Sequence, residues 1–243
     1  FRLLDLDASM GVPYLHTNRD SNPQLGFVGV RALLDHEPVL RNQLAAILRA
    51  CAARGRTARI VVPKVVDCGE LRRVKEVLFE ERYSLKKAGR AVPDTLIGVV
   101  LETPAAALAA RELARESDLM MIGLDSLQQY MLATDRDHPH LGHAFQRLHP
   151  VVLRLVRTLV EACGSEDAPP TVFGVTSALD VNLPLLLGVG LRRFALAPVT
   201  FPGFIESLRR VDRESAARLA DLAESATTPE DLGPLLEGYG QGV

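Results

Sequence analysis

Short runs of consecutive apolar residues alternate with longer amphipathic stretches along most of this chain. The runs fall near residues 1, 58, 95, 118, 171 and 193. In Ala-Arg-Ile-Val-Val-Pro at 58–63, Thr-Leu-Ile-Gly-Val-Val-Leu-Glu at 95–102 and Leu-Met-Met-Ile-Gly-Leu at 119–124, apolar residues follow one another instead of alternating with polar ones. Strands of that kind are covered on both faces, as in a parallel sheet flanked by helices. The intervening segments supply the helices. Leu40, Leu44, Ile47, Leu48 and Cys51 recur at helical spacing within 38–54, and 69–89 is a charged amphipathic stretch. Helices are also expected at 127–132, 149–163, 183–190, 202–209 and 213–225. Pro104 stands at a position favoured in a first helical turn.

This order predicts a parallel α/β barrel. A closed barrel of that type has eight strands, of which six are visible. Apolar residues make up 47% of the chain, enough for one sizeable core. No linker interrupts the series, so 1–243 is expected to form a single domain; 165–170 is loop-like but too short to divide it. The closing Gly-Tyr-Gly-Gln-Gly-Val is expected to fray. In such barrels function gathers at the C-terminal ends of the strands. Asp5 and Asp7, Lys64, Glu102, Asp125 with Ser126, and Thr176 with Ser177 occupy those ends on five different runs.

Several function classes are disfavoured. A net charge of -2 and the absence of Trp give neither a basic footprint nor a stacking platform for nucleic acid. The basic residues of 71–90 alternate with Glu, which reads as a solvated helix face. No apolar run approaches the roughly 20 residues that span a bilayer, and no secretory leader opens the chain. Cys51, Cys68 and Cys163 form no CxxC pair, so no zinc or disulfide framework is expected and a reducing cytoplasm fits best. His138, His140, His143 and His149 cluster without an HExxH pattern and read as an exposed loop, not a metal site. The chain opens on Phe1 and not on Met, and is taken as a piece of a longer polypeptide.

The most specific signal is an ordered series of short motifs. Glu102-Thr103-Pro104-Ala105-Ala106 follows one strand, and Gly123-Leu124-Asp125-Ser126-Leu127-Gln128-Gln129-Tyr130 follows the next. Asp135-Arg136-Asp137-His138 comes soon after. Upstream stand Asn22-Pro23-Gln24-Leu25-Gly26-Phe27-Val28-Gly29-Val30-Arg31 and the segment 41–50; downstream is 185–190. In order and spacing, from Phe1 to about Leu236, the series resembles the phosphoenolpyruvate-binding (β/α)₈ barrel of enzyme I of the bacterial sugar phosphotransferase system. The corresponding family motifs are E-T-P-A-A, G-T-N-D-L-T-Q-Y, D-R-G-N and N-P-x-L-G-W-R-A-I-R.

The resemblance implies a TIM barrel of the phosphoenolpyruvate/pyruvate type whose first two strands precede Phe1. It also implies phosphoryl transfer from phosphoenolpyruvate to a His on an upstream domain, a homodimer, and a Mg²⁺ held by a Glu and an Asp. By the same resemblance Arg2 and Arg136 bind the substrate anion with Asp125 beside them, and Glu102 is a metal ligand. The chain departs from the family at other site positions. Ser126 stands at the second metal ligand, with Asp125 at the neighbouring Asn position. Val28 replaces an arginine. Met10 replaces the lysine of G-G-D-K, and Ala8-Ser9 replace its Gly-Asp. The M-C-G-E motif reads Val172-Phe173-Gly174-Val175, which puts Phe173 where the family has its acid cysteine. Phe cannot donate a proton, and Ser is a poor Mg²⁺ ligand beside a carboxylate.

Three functional expectations result. The first is a degenerate domain serving as a binding, regulatory or dimerisation module. The second is an active phosphotransferase in which Asp125 takes over metal ligation. The third is a pyruvate-type barrel lyase or aldolase. Simpler roles stay open for single residues. Glu102 would accept amides of the helix beginning at Pro104, and Arg136 would pair with Asp135 or Asp137. Arg2 needs a partner, with Asp125 or Asp5 as candidates. Lys64 would pair with Glu102 or Asp125 in place of a metal.

Overall fold

A computed structural model describes residues 1–7, 10, 12, 21–141 and 148–241. Ala8, Ser9 and His143 lie outside the described residues. The fold is α/β, with a parallel sheet of five strands in the order β1-β2-β3-β4-β5. These are β1 (Ala58–Val62), β2 (Thr95–Leu101), β3 (Leu119–Gly123), β4 (Thr171–Phe173) and β5 (Arg193–Ala195). The run at 1–7, expected as a sixth strand, makes only a parallel bridge between Arg2 and Val61. The Leu3 N–H donates to the Val61 carbonyl at 3.0 Å, but farther along the Leu6 carbonyl accepts the Gly29 N–H at 3.1 Å, which draws the chain out of the ladder.

The chain divides into two compact units, 1–101 with 111–120 and 102–110 with 121–243. In the first, β1 and β2 pair in register from Ala58↔Thr95 to Val62↔Val99. Ile60, Val62, Val99, Val100 and Leu101 are buried, as two-faced strands require. The helices α1 (Val30–Asp35), α2 (Glu37–Ala52) and α3 (Cys68–Lys87) belong to this unit. In α2 the predicted stripe of Leu40, Leu44, Ile47, Leu48 and Cys51 is the buried face. Each such leucine contributes about 1.5–3 kcal/mol by leaving water. In α3 the Asp67 carboxylate caps the first turn by accepting the Glu70 N–H at 3.0 Å. Arg41 ties the two helices together, donating to Glu37 and Glu81 and pairing with Glu80.

In the second unit, β4 pairs with β3 through Met121↔Thr171, Ile122↔Val172 and Gly123↔Phe173. It pairs with β5 from Thr171↔Arg193 to Phe173↔Ala195. The segment after β2 forms two short helices, α4 (Pro104–Leu108) in this unit and α5 (Ala110–Arg115), which from Arg111 on belongs to the first unit. Then come α6 (Leu124–Leu132), α7 (Pro150–Gly164), α8 (Val175–Ala178) and α9 (Leu183–Gly188). The series ends with α10 (Phe201–Arg209), α11 (Arg213–Glu224) and α12 (Leu232–Gln241). α12 follows on a fully buried Leu232 and includes Gly238 and Tyr239 of the stretch expected to fray, whose last two residues lie outside the described ones. Among the described residues no helix is long and apolar enough to cross a membrane.

His149 caps α7: its Nδ1 accepts the Val151 N–H at 3.2 Å. Burial, followed by the charge of Arg154, holds its pKa below the ordinary imidazole value. The native state therefore binds a proton less readily than the unfolded chain. The cap contributes fully above the unfolded value of about 6.5 and is lost as pH falls through the lowered native value. Denaturant midpoints of the full-length protein at pH 8, 6.5 and 5 are expected to fall faster than those of His149→Asn, which caps without titrating. The expected gap at pH 5 is on the order of 1 kcal/mol, the worth of one cap. Parallel profiles would rule this account out.

Candidate functional site

Beyond the end of β2 the chain delivers Glu102, whose residue is only 1% exposed. The helix that follows is capped by its neighbour, since the Ala106 N–H donates to Thr103 Oγ1 at 3.1 Å. Glu102 instead accepts a hydrogen bond from Ser126 Oγ at 3.2 Å on Oε1. The end of β3 makes room for this carboxylate. A Cβ on Gly123 would lie 2.6 Å from Glu102 Cγ, so only glycine lets the side chain rest against the strand.

α6 begins directly at Leu124, with no loop after β3. Asp125 and Ser126 thus sit in its first turn, where a carboxylate is favoured by the exposed helix amides. Asp125 nevertheless reaches across to the turn after β4. Its Oδ2 accepts the Val175 N–H at 2.7 Å and its Oδ1 accepts the Thr176 N–H at 3.0 Å. Hydrogen bonds to a charged acceptor contribute about 1.5–3 kcal/mol each, so this pair fixes the turn. Gly174 permits the approach. Its φ is 132°, a region L side chains avoid, and a Cβ there would meet Asp125 Oδ1 at 2.8 Å.

Further hydrogen bonds hold the same turn. Ser177 Oγ donates to the Gly174 carbonyl at 2.7 Å. Asn182, fully buried, donates from Nδ2 to the Thr176 carbonyl at 2.9 Å and accepts the Leu148 N–H at 3.1 Å. Phe173, the last residue of β4, is half-buried beside this turn. Glu102 with Ser126, and Asp125 with Thr176, are therefore the sequence-predicted residues that come together. Asn182, Gln128 and Gln129 are buried polar residues that sequence reasoning passed over. Gln129 Oε1 accepts the Arg136 backbone N–H at 3.3 Å.

Arg136 itself is exposed, and among the described residues it pairs with neither Asp135 nor Asp137. The Asp137 N–H donates instead to Asp135 Oδ1 at 2.9 Å. Arg2 and Lys64 belong to the first unit. Arg2 has Asp5 as an ion partner at 3.5 Å, one of its two expected partners. Lys64 adopts φ 57° at the strand end, packed where a Cβ on Gly29 would approach within 2.7 Å. His138 and His140 are exposed, the His140 N–H donating to His138 Nδ1 at 3.2 Å. Cys163 is fully buried, and burial pushes its thiol up to about 12, so it stays a protonated, inert thiol near neutral pH.

A Mg²⁺ ion takes oxygen ligands, usually one or two carboxylates with water and substrate oxygens. Among the described residues no three His, Cys, Asp or Glu side chains converge. The carboxylate nearest to the second family ligand, Asp125, is committed through both oxygens to backbone amides. Ser126 directs its hydroxyl to Glu102. This donor set does not fit a shared protein-bound Mg²⁺.

Comparison with known proteins places these features. The profile of the family described as "PEP-utilising enzyme, PEP-binding domain" matches residues 1–213. Phosphoenolpyruvate-protein phosphotransferase of Listeria monocytogenes is 32% identical over 239 residues, covering 98% of this chain and 41% of that protein. The Haemophilus influenzae protein of the same name is also 32% identical over 239 residues, with the same 98% and 41% shares. The chain thus spans about two fifths of the length of the curated relatives it matches. A citrate lyase from Burkholderia xenovorans, known from a crystal structure, shares the fold with a TM-score of 0.51 at 16% identity, over 83% of this chain and 68% of that one.

Proposed function

The chain belongs to the PEP-binding domain family of PEP-utilising enzymes, and we propose that it binds phosphoenolpyruvate or a similar small anion without carrying phosphoryl transfer through. The observation that carries this reading is the commitment of Asp125 to the Val175 and Thr176 amides. With Ser126 at the other family position, neither of these two residues is left as a second carboxylate to share a cation with Glu102. Arg2 and Arg136 remain as anion-binding groups. The domain then acts as a binding, regulatory or dimerisation module, one TIM barrel of which the five-stranded sheet is part. Its setting is a cytoplasmic, homodimeric protein with a phosphorylatable His on an upstream domain.

A second reading, an active phosphotransferase with a rearranged site, is favoured by the names of the curated relatives. It requires Asp125 to leave its amides and turn to a metal. A pyruvate-type lyase or aldolase has no independent support, because the likeness to citrate lyase concerns fold alone. Titration calorimetry of the full-length protein with phosphoenolpyruvate, with and without Mg²⁺, separates these readings. The expected result is binding whose affinity changes by less than about threefold on adding Mg²⁺, under 1 kcal/mol. A gain of tenfold or more with Mg²⁺ would favour the second reading, and no binding at millimolar concentrations would overturn the anion-binding role.

A further inference from the structure

Many charges of α3 are paired. Its carboxylates Glu80 and Glu81 turn to Arg41, and Glu76 pairs with Arg73. Arg31 of α1 is held by Glu70 of α3, and Arg72 of α3 by Glu116. The residues of α3 that line the adjoining groove are built differently. Phe79 is 71% exposed and Tyr83 is 63% exposed, one helical turn apart. They line a groove of about 790 Å³ with Arg82, Lys86 and Arg90, and Thr95 and Ile97 of β2 line it too. Lys75 at the groove edge is tied to the Glu116 carbonyl. Among the described residues Arg82, Lys86 and Arg90 have no ion pair and no side-chain hydrogen bond.

Two adjacent exposed rings are costly on a solvated surface, and three cations without counter-ions around one concavity repel each other. A ligand that is flat and apolar at one end and multiply anionic at the other relieves both. We propose that this groove binds a nucleoside polyphosphate, its base stacked on Phe79 and Tyr83 and its phosphates on Arg82, Lys86 and Arg90. Aromatic faces accept any base, and Arg forks suit phosphate oxygens. The volume lies in the range of small-molecule sites. A simple inorganic anion would leave the rings unused, and an apolar ligand would leave the cations unanswered. The groove lies at the opening of β2, whereas Glu102 follows its last residue, so this inference does not rest on the phosphoenolpyruvate reading.

The test is calorimetry of the full-length protein with ATP in the absence of Mg²⁺, with adenosine and with tripolyphosphate in separate titrations. ATP is expected to bind, and each of its two parts to bind at least about tenfold more weakly, the worth of a single base–aromatic stack or more. The double variants F79A/Y83A and R82E/K86E, and R90Q as a milder third, are each expected to weaken ATP binding by about tenfold, with melting temperatures unchanged because these side chains line the surface of the groove. Tripolyphosphate binding as tightly as ATP would reduce the groove to a charge patch. No ATP binding up to millimolar concentration, or wild-type affinity in all three variants, would also overturn the proposal.

Discussion

Gly98→Ala is expected to destabilise the protein by about 3 kcal/mol or more, the upper range for overpacking a close-packed core. Gly98 lies in the middle of β2, where a Cβ would stand 1.7 Å from the Leu119 carbonyl oxygen and 2.5 Å from its carbon. Both atoms are backbone, so no side chain can swing aside, and the start of β3 must move. Gly188 sets the same condition at the crossing of α9 and α11, where a Cβ would lie 2.1 Å from the Ala216 carbonyl oxygen. Gly164, at the end of α7, has nothing within 4 Å of that position and is the control. At about 2–4 °C per kcal/mol for a domain of this size, G98A and G188A are each expected to melt roughly 6–12 °C lower. G164A is expected to match or exceed wild type, since alanine is the better helix former. Melting of G98A within a degree of wild type would mean that these strands are not packed at the observed distance.

The parts of the fold written in long apolar runs were legible in the sequence. β1 to β5 fall where the runs lie, and α2 and α3 begin one residue earlier than expected at Glu37 and Cys68. The misreadings share a cause: tertiary partners override local pattern. The run at 1–7 carries strand composition, yet it leaves the sheet once Leu6 finds Gly29. The strand run was read through Leu124 and the next helix from Leu127, yet α6 starts on Leu124, with Leu124 and Leu127 both fully buried. At the site, the motif series located Glu102, Asp125 and Ser126. It did not reveal that Asp125 bonds to amides 50 and 51 residues away, a pairing with no local signal. Asn182 offered only a faint one, a single amide within the otherwise apolar residues of 181–187.

Transfer of phosphate from phosphoenolpyruvate to a histidine is expected to be absent, or far below the rate of a phosphotransferase relative, when the full-length protein is supplied with labelled phosphoenolpyruvate and Mg²⁺. Once the phosphoryl group leaves the enol oxygen, the remaining enolate must take a proton at its terminal carbon to become pyruvate. Phe173 stands at the position from which the family resemblance draws that proton, and a phenyl ring has none to give. Cys163, on α7, is fully buried, so a substrate does not reach its thiol. Charge neutralisation is weakened as well. Val28, where the resemblance places an arginine, is 5% exposed and belongs to the apolar core. Met10, where it places a lysine, is uncharged, and Asp125 is occupied with amides. Loss of one charge-stabilising group typically costs about 10²–10³ in rate. Such losses are not additive, so the expectation is a rate lower by at least about 10³, and not the product of all of them. Pyruvate release and protein labelling, followed together, decide the matter. Both at the relative's rate would show that another group, such as Thr176 or Ser177 acting through water, supplies the proton, and the degenerate reading would then fail. Labelling without pyruvate release would place the defect at protonation alone and leave phosphoryl transfer intact.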